Sequence, residues 1–139
     1  MESPRIYVIT GIIVAGLLVW LLAAYKTPWN LQRYAGAFLV AVGLGGMVLA
    51  RYQLGKSFSI RPEAHELVTT GIYSKIRNPI YVFGTLMLTG LVLVLRRPHG
   101  FVVVAGVIIA QMIQARREAE VLEKAFGDLY REYRRKTWF

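Results

Sequence analysis

Cysteine is absent from the 139 residues, which excludes disulfides, thiolate catalysis and Cys-ligated zinc or iron–sulfur centres and leaves the redox compartment open. Histidine is nearly absent. His65 and His99 lie far apart and form no HExxH spacing, so no protein-held metal site is expected. Charge is scarce too: 18% of residues are charged, against about 25% in soluble domains. Acidic residues are the scarcest, 8 against 17 Lys and Arg, for a net charge of +9. No RNA- or DNA-binding motif accompanies that cationic excess, and nucleic acid is not expected as a partner.

What fills the space is apolar. Hydrophobic residues make up 55% of the chain and come in long uncharged blocks, a distribution that a water-soluble core does not require. The blocks run over about 6–25, 34–50, 79–95 and 100–115. A membrane-crossing helix needs about 20 residues, with a range of roughly 17–25. The first three blocks meet that limit, and the fourth does so if its helix continues into the polar segment that follows. The first block lacks a clear small-x-small cleavage site and is followed by further spans, so it reads as a retained helix and not as a signal peptide. Only Arg96-Arg97-Pro98-His99 separates the last two blocks, which predicts a tight helical hairpin. The fold expected is all-α: one integral membrane domain over 1–139 with four transmembrane helices, a connecting segment over 51–78, and a C-terminal amphipathic cytoplasmic helix over about 116–136.

Four spans place the N-terminus, the 51–78 segment and the tail on one side. Thirteen of the 17 basic residues fall there, and only Lys26, Arg33, Arg96 and Arg97 fall on the other. The positive-inside rule makes the first side cytoplasmic. All eight acidic residues lie on it as well, so any chemistry that needs carboxylates is cytoplasmic.

Ala37, Ala41 and Gly45 recur every four residues on the second block, with Gly46 beside them. Small residues at that spacing let helices approach closely in lipid, within one chain or between two copies, which leaves a homodimer open. The run Gly43 to Gly46 lacks the spacing and context of a dinucleotide fingerprint. In the tail, Val121, Leu122, Ala125, Phe126, Leu129, Tyr130 and Tyr133 form an apolar stripe at helical spacing among charged residues. Such a helix lies on the membrane surface or covers a membrane-embedded site.

The segment 51–81 is the densest polar stretch between spans. It holds His65, Glu66, Thr69, Thr70, Tyr73 and Tyr81 among basic residues, and Pro79 opens the third span, a position that suits proline. It is long for a connector in so small a protein, and long loops tend to be functional or disordered. Its Val, Leu, Ile, Phe and Tyr content argues against disorder.

These residues carry a resemblance. His65-Glu66-Leu67-Val68-Thr69-Thr70-Gly71-Ile72-Tyr73 leads into Arg77-Asn78-Pro79-Ile80-Tyr81 with Gly84 following. A second run has Glu118, Glu120, Leu122, Phe126-Gly127, Tyr130 and Tyr133. The chain resembles the isoprenylcysteine carboxyl methyltransferase family, a branch of a wider group that includes phospholipid N-methyltransferases, over about its last 85 residues. The resemblance implies S-adenosylmethionine-dependent methyl transfer at the cytoplasmic membrane face. It also implies that His65, Glu66, Leu67, Val68, Tyr73, Asn78, Pro79, Ile80, Tyr81 and Glu118 contact the cofactor. The ligand's hydroxyls and ammonium group suit Glu118, its sulfonium suits the ring faces of Tyr73 and Tyr81, and its carboxylate suits Arg77.

Three positions depart from the family pattern. Asn78 stands where the family has His, keeping donor and acceptor capacity without a charge that changes near neutral pH. Ala119 interrupts a glutamate pair. Gln114, with Arg116 and Arg117 nearby, falls where eukaryotic members have a substrate-contacting Arg. Asn78, Arg77, Gln114, Arg116 and Arg117 are therefore the candidates for catalytic or acceptor contacts. The acceptor implied is a lipophilic or lipidated carboxylate or amine entering from the bilayer. A protonated amine must lose a proton first, and no strong base is apparent beyond His65 and the glutamates, which leans toward a carboxylate. Two alternatives stand beside this reading: a nicotinamide-dependent membrane lipid reductase, and a non-catalytic membrane scaffold.

Overall fold

The computed structural model describes residues 28–55 and 67–139. The expected first span and the stretch holding His65 and Glu66 lie outside the described residues. The chain divides into two compact units, Met1–Leu31 and Gln32–Phe139, and the second contains the candidate site.

The elements are helical: α1 (Leu31–Leu54), a 3-10 turn (Gly71–Ser74), α2 (Pro79–Leu95), α3 (Gly100–Phe126) and α4 (Asp128–Lys136). A parallel bridge joins Ile76 and Trp138. α1 and α3 are long and apolar enough to cross a membrane, while α2 is apolar but shorter, at 17 residues. Little of either long helix is buried. Phe38, Val48, Val102 and Ile109 all lie exposed, an arrangement that water would penalise and lipid would not. The chain is read accordingly as a membrane protein.

α2 starts at Pro79, where the missing N–H costs nothing. It stops at Arg96, which takes the left-handed conformation (φ +53°) and donates its N–H to Leu93 O. Arg97 N bonds Val92 O and Gly100 N bonds Arg97 O, so the four-residue connection is a closed turn. α2 and α3 form the expected hairpin, packed along their length.

α3 corrects the expected tail. Nothing between Gly100 and Phe126 breaks a helix: Arg116 and Arg117 change the polarity of the sequence, not its backbone. At roughly 1.5 Å per residue its 27 residues span about 40 Å, longer than the bilayer's hydrocarbon core of about 30 Å. The amphipathic segment over 116–136 is therefore not one helix. Its first half completes α3, and the break comes at Gly127, whose φ of +53° and ψ of −122° favour a residue without a Cβ. Arg131 spans the break, bonding Glu123 at 2.7 Å and Asp128 at 2.9 Å.

The seam between α1 and α2 within the chain does not use Ala41 and Gly45 of the small-residue stripe. Ala41 and Gly45 are exposed, and no described atom lies within 4 Å of a Cβ built on Gly45. The buried face of α1 carries Arg33, Gly36, Val40, Gly43 and Ala50. A Cβ on Gly36 would sit 2.7 Å from Gly90 O, and one on Gly43 would sit 2.6 Å from Met87 N. Gly46, noted beside the expected stripe, does lie on this seam, against the Phe83 ring. The reason is angular. A strict repeat of four drifts around a helix of 3.6 residues per turn, whereas alternating steps of three and four stay on one face.

Candidate functional site

The antiparallel packing brings the last turn of α1, the 3-10 turn, the start of α2 and the polar end of α3 to one end of the bundle. There Tyr81 Oη donates to Glu118 Oε1 at 2.7 Å, and Gln114 Nε2 donates to the same oxygen at 3.2 Å. Among the described residues Oε2 of Glu118 accepts no hydrogen bond. Further along the hairpin, Thr85 Oγ1 donates to Gln111 Oε1 at 2.8 Å and Thr89 Oγ1 to Thr85 O at 2.8 Å. Tyr81, Thr85 and Thr89 recur every four residues on α2, and Gln111, Gln114 and Glu118 face them at steps of three and four on α3. Helical neighbours three or four apart share a face, so the seam is a polar row with the carboxylate at its outer end.

The 3-10 turn is held from two sides. Gln53 Oε1 at the end of α1 accepts the Ile72 N–H at 2.8 Å. Gly71 has φ +61° and a Cβ there would run into the Gln53 amide, so this residue answers both a left-handed backbone and a close approach. From α4, Tyr133 Oη donates to Tyr73 O at 2.7 Å, and Tyr130, 3% exposed, fills the space beside it. Burial pushes the phenols of Tyr73 and Tyr133 up to about 12, with the charge of Tyr133 adding to the effect at Tyr73 and that of Tyr130 at Tyr133. Neither phenol is a base at neutral pH.

Beyond the 3-10 turn the backbone pairs with the end of the tail. Trp138 N donates to Lys75 O at 2.7 Å, Arg77 N to Trp138 O at 3.0 Å and Asn78 N to Phe139 O at 2.9 Å. Asn78 is the N-cap of α2, yet its side chain makes no capping bond. Its carbonyl accepts from Tyr81 N and Val82 N at 3.1 and 3.2 Å.

Of the residues expected to contact a cofactor, Tyr73, Asn78, Pro79, Ile80, Tyr81 and Glu118 lie on these elements at one end of the bundle. Tyr81 and Glu118 touch directly, and Gln114 joins them. Leu67 and Val68 are half-buried in the irregular segment before the 3-10 turn. Arg77 is half-buried, and its positive charge offsets part of the upward push on the phenols of Tyr130 and Tyr133. Arg116 and Arg117 are exposed on α3 and do not join the Tyr81–Glu118 cluster. His65 and Glu66 fall outside the described residues. The sequence reading missed Gln53, Thr85, Gln111 and the Trp138–Phe139 pair. Thr85 and Gln111 carried a signal, since polar side chains inside apolar spans pair with one another or mark function.

Comparison with known proteins returns no match among curated sequences. The phospholipid methyltransferase family model matches residues 31–129. That stretch takes in α1, α2, α3, the 3-10 turn, Tyr81, Gln114 and Glu118, well over half the chain. The chain belongs to the phospholipid methyltransferase family.

Proposed function

We propose that the protein is an S-adenosylmethionine-dependent methyltransferase that works at the cytoplasmic face of its membrane. Its acceptor is a lipophilic carboxylate or amine that reaches the site sideways from the bilayer. Family membership supports methyl transfer, and the apolar, lipid-exposed helices support the membrane setting. The observation that carries the site is the Tyr81–Glu118 hydrogen bond. It joins two segments 37 residues apart that the sequence resemblance had independently marked as cofactor-binding.

The donor set fits the ligand. Tyr81 and Gln114 occupy one oxygen of Glu118, which leaves the other to accept from a hydroxyl or ammonium group, and charge-assisted bonds of that kind are the strong ones. Tyr81, fixed through its hydroxyl, offers a ring face that a cation gains about 0.5–2 kcal/mol by approaching. Ile80, Leu67 and Val68, all half-buried, supply apolar surface for an aromatic base. When bound, S-adenosylmethionine supplies an electrophilic methyl group for in-line displacement.

The protein's own part is chiefly positioning, worth roughly 7–11 kcal/mol where reactants are well aligned. Asn78 is free of a capping role, so its side-chain amide can hold an acceptor oxygen or nitrogen by hydrogen bonding, though it cannot carry away a proton. An amine acceptor must therefore arrive neutral or lose its proton to another group. The four-span topology with both termini cytoplasmic follows from the distribution of basic residues. The site end of the bundle bears Arg51, Arg77 and the basic tail, and the opposite end bears Arg96 and Arg97.

Calorimetric titration of the protein, purified in detergent and repeated in lipid nanodiscs, tests the reading. Saturable S-adenosylmethionine binding, lost in Glu118→Ala and not reproduced by NADPH, is expected. Binding of NADPH alone would replace the methyltransferase with the reductase reading, and binding of neither by folded protein would favour the scaffold.

A further inference from the structure

We infer that the backbone of Trp138 and Phe139 is a positioning segment for the cofactor-binding end of α2, acting through Asn78 on Tyr81; this rests on the methyltransferase reading above. An N-cap residue ordinarily fixes the start of its helix by a side-chain bond to a backbone N–H of the first turn. Asn78 makes none. Its conformation, φ −120° and ψ +60°, is held instead by its own N–H bonding to Phe139 O at 2.9 Å. The same peptide unit's neighbour, Asn78 O, accepts the Tyr81 N–H at 3.1 Å. One residue therefore stands between the tail and the backbone bond that sets Tyr81, whose hydroxyl reaches Glu118.

The tail is itself located by three other contacts. Trp138 N bonds Lys75 O, Arg77 N bonds Trp138 O, and Tyr133 Oη bonds Tyr73 O. These contacts are to the backbone of 73–78, so they fix where that chain runs without depending on what its side chains are. Trp138 is 67% exposed and its ring packs against that of its neighbour Phe139, which leaves the main chain, not the indole, as the part that reaches 75–78. Thr137 before it is extended, φ −116° and ψ 150°, the conformation that a following proline prefers. Trp138→Pro therefore removes one N–H donor without a steric conflict at Thr137.

The test compares Trp138→Pro, deletion of 138–139 and Trp138→Ala in nanodiscs. S-adenosylmethionine affinity is read by calorimetry, amide hydrogen exchange over 77–82 by mass spectrometry, and Tm alongside. Trp138→Pro and the deletion should weaken S-adenosylmethionine binding by about tenfold, a loss typical of one well-aligned bond. They should speed exchange at Asn78 and Tyr81 and leave Tm within a few degrees. Trp138→Ala, which restores the N–H without the ring, should recover most of the affinity. In a Tyr81→Phe background the deletion should cost little further affinity, because both changes act on the same contact. Unchanged exchange over 77–82 in Trp138→Pro and the deletion overturns the positioning role, whatever the ligand does. Failure of the natural chain to bind S-adenosylmethionine overturns the reading beneath it, and is seen before any variant is made.

Discussion

Gly90→Ala should destabilise the protein, although alanine is the better helix former. A methyl group at position 90 would sit 2.5 Å from Gly36 O, 2.7 Å from Val40 N and 2.9 Å from the Leu39 Cβ. Ordinary carbon–oxygen contacts lie at about 3.3–3.6 Å, so the shortfall at Gly36 O is roughly 0.8 Å. Two of the three neighbours are backbone atoms of a helix and cannot rotate aside. α1 and α2 must separate, and a gap of about 0.5–1 Å forfeits a quarter to a half of each dispersion contact along the seam. Overpacking of this kind costs about 1–3 kcal/mol, offset by the roughly 0.5–1 kcal/mol that alanine gains over glycine in a helix. The net loss is of order 1–2 kcal/mol. Gly45→Ala is the matched control: nothing described lies within 4 Å of its Cβ, and with the gain in helix propensity stability should hold or rise. Reversible unfolding in mixed micelles, with denaturing detergent as the variable, measures both. If Gly45→Ala is the destabilised variant and Gly90→Ala is neutral, the seam lies on the Ala37–Ala41–Gly45 face and the packing described above is wrong.

Tyr81→Phe removes the donor to Glu118 and should weaken S-adenosylmethionine binding about tenfold or more, since bonds to charged groups are worth roughly 1.5–3 kcal/mol; combined with Glu118→Gln it should add little, as a double-mutant cycle by calorimetry will show. Stability should fall as pH rises from 10 toward 12. The phenols of Tyr73 and Tyr133 keep their protons to about pH 12 in the folded protein but lose them near pH 10 when unfolded, so the unfolded chain binds fewer protons across that window. Denaturant midpoints against pH measure this, and Tyr73→Phe should flatten the slope while sparing the Tyr133 bond, which goes to the Tyr73 carbonyl. Gly127→Ala forces a side chain onto a φ of +53° with ψ of −122° and should cost about 1–3 kcal/mol, read as a lowered Tm with faster proteolysis of α4.

The features legible in the sequence are those with local causes. Pro79 marks the start of α2 and Arg96-Arg97-Pro98-His99 the turn after it, because a missing N–H and a short polar interruption act on the chain where they stand. The Tyr81 and Glu118 segments were legible only through their resemblance to a family's pattern of spacing, and the hydrogen bond between them gives that pattern a physical content. The break at Gly127 was within reach, since a glycine between two helical stripes is a common stop, but the continuous periodicity on either side concealed it. The seam of α1 was not legible, because Gly36 and Gly43 matter through what Gly90, Met87 and Phe83 present to them, and the sequence of α1 alone ranks Ala37, Ala41 and Gly45 equally well. Asn78 is the sharpest instance. Read locally, an asparagine before a helix-opening proline is a side-chain cap. In the folded chain that bond is not made, and the main-chain oxygen of Phe139, 61 residues away in sequence, holds the Asn78 N–H. A side chain thereby released from capping, one turn below the Tyr81–Glu118 contact and at the position where the family has histidine, is free to serve the site.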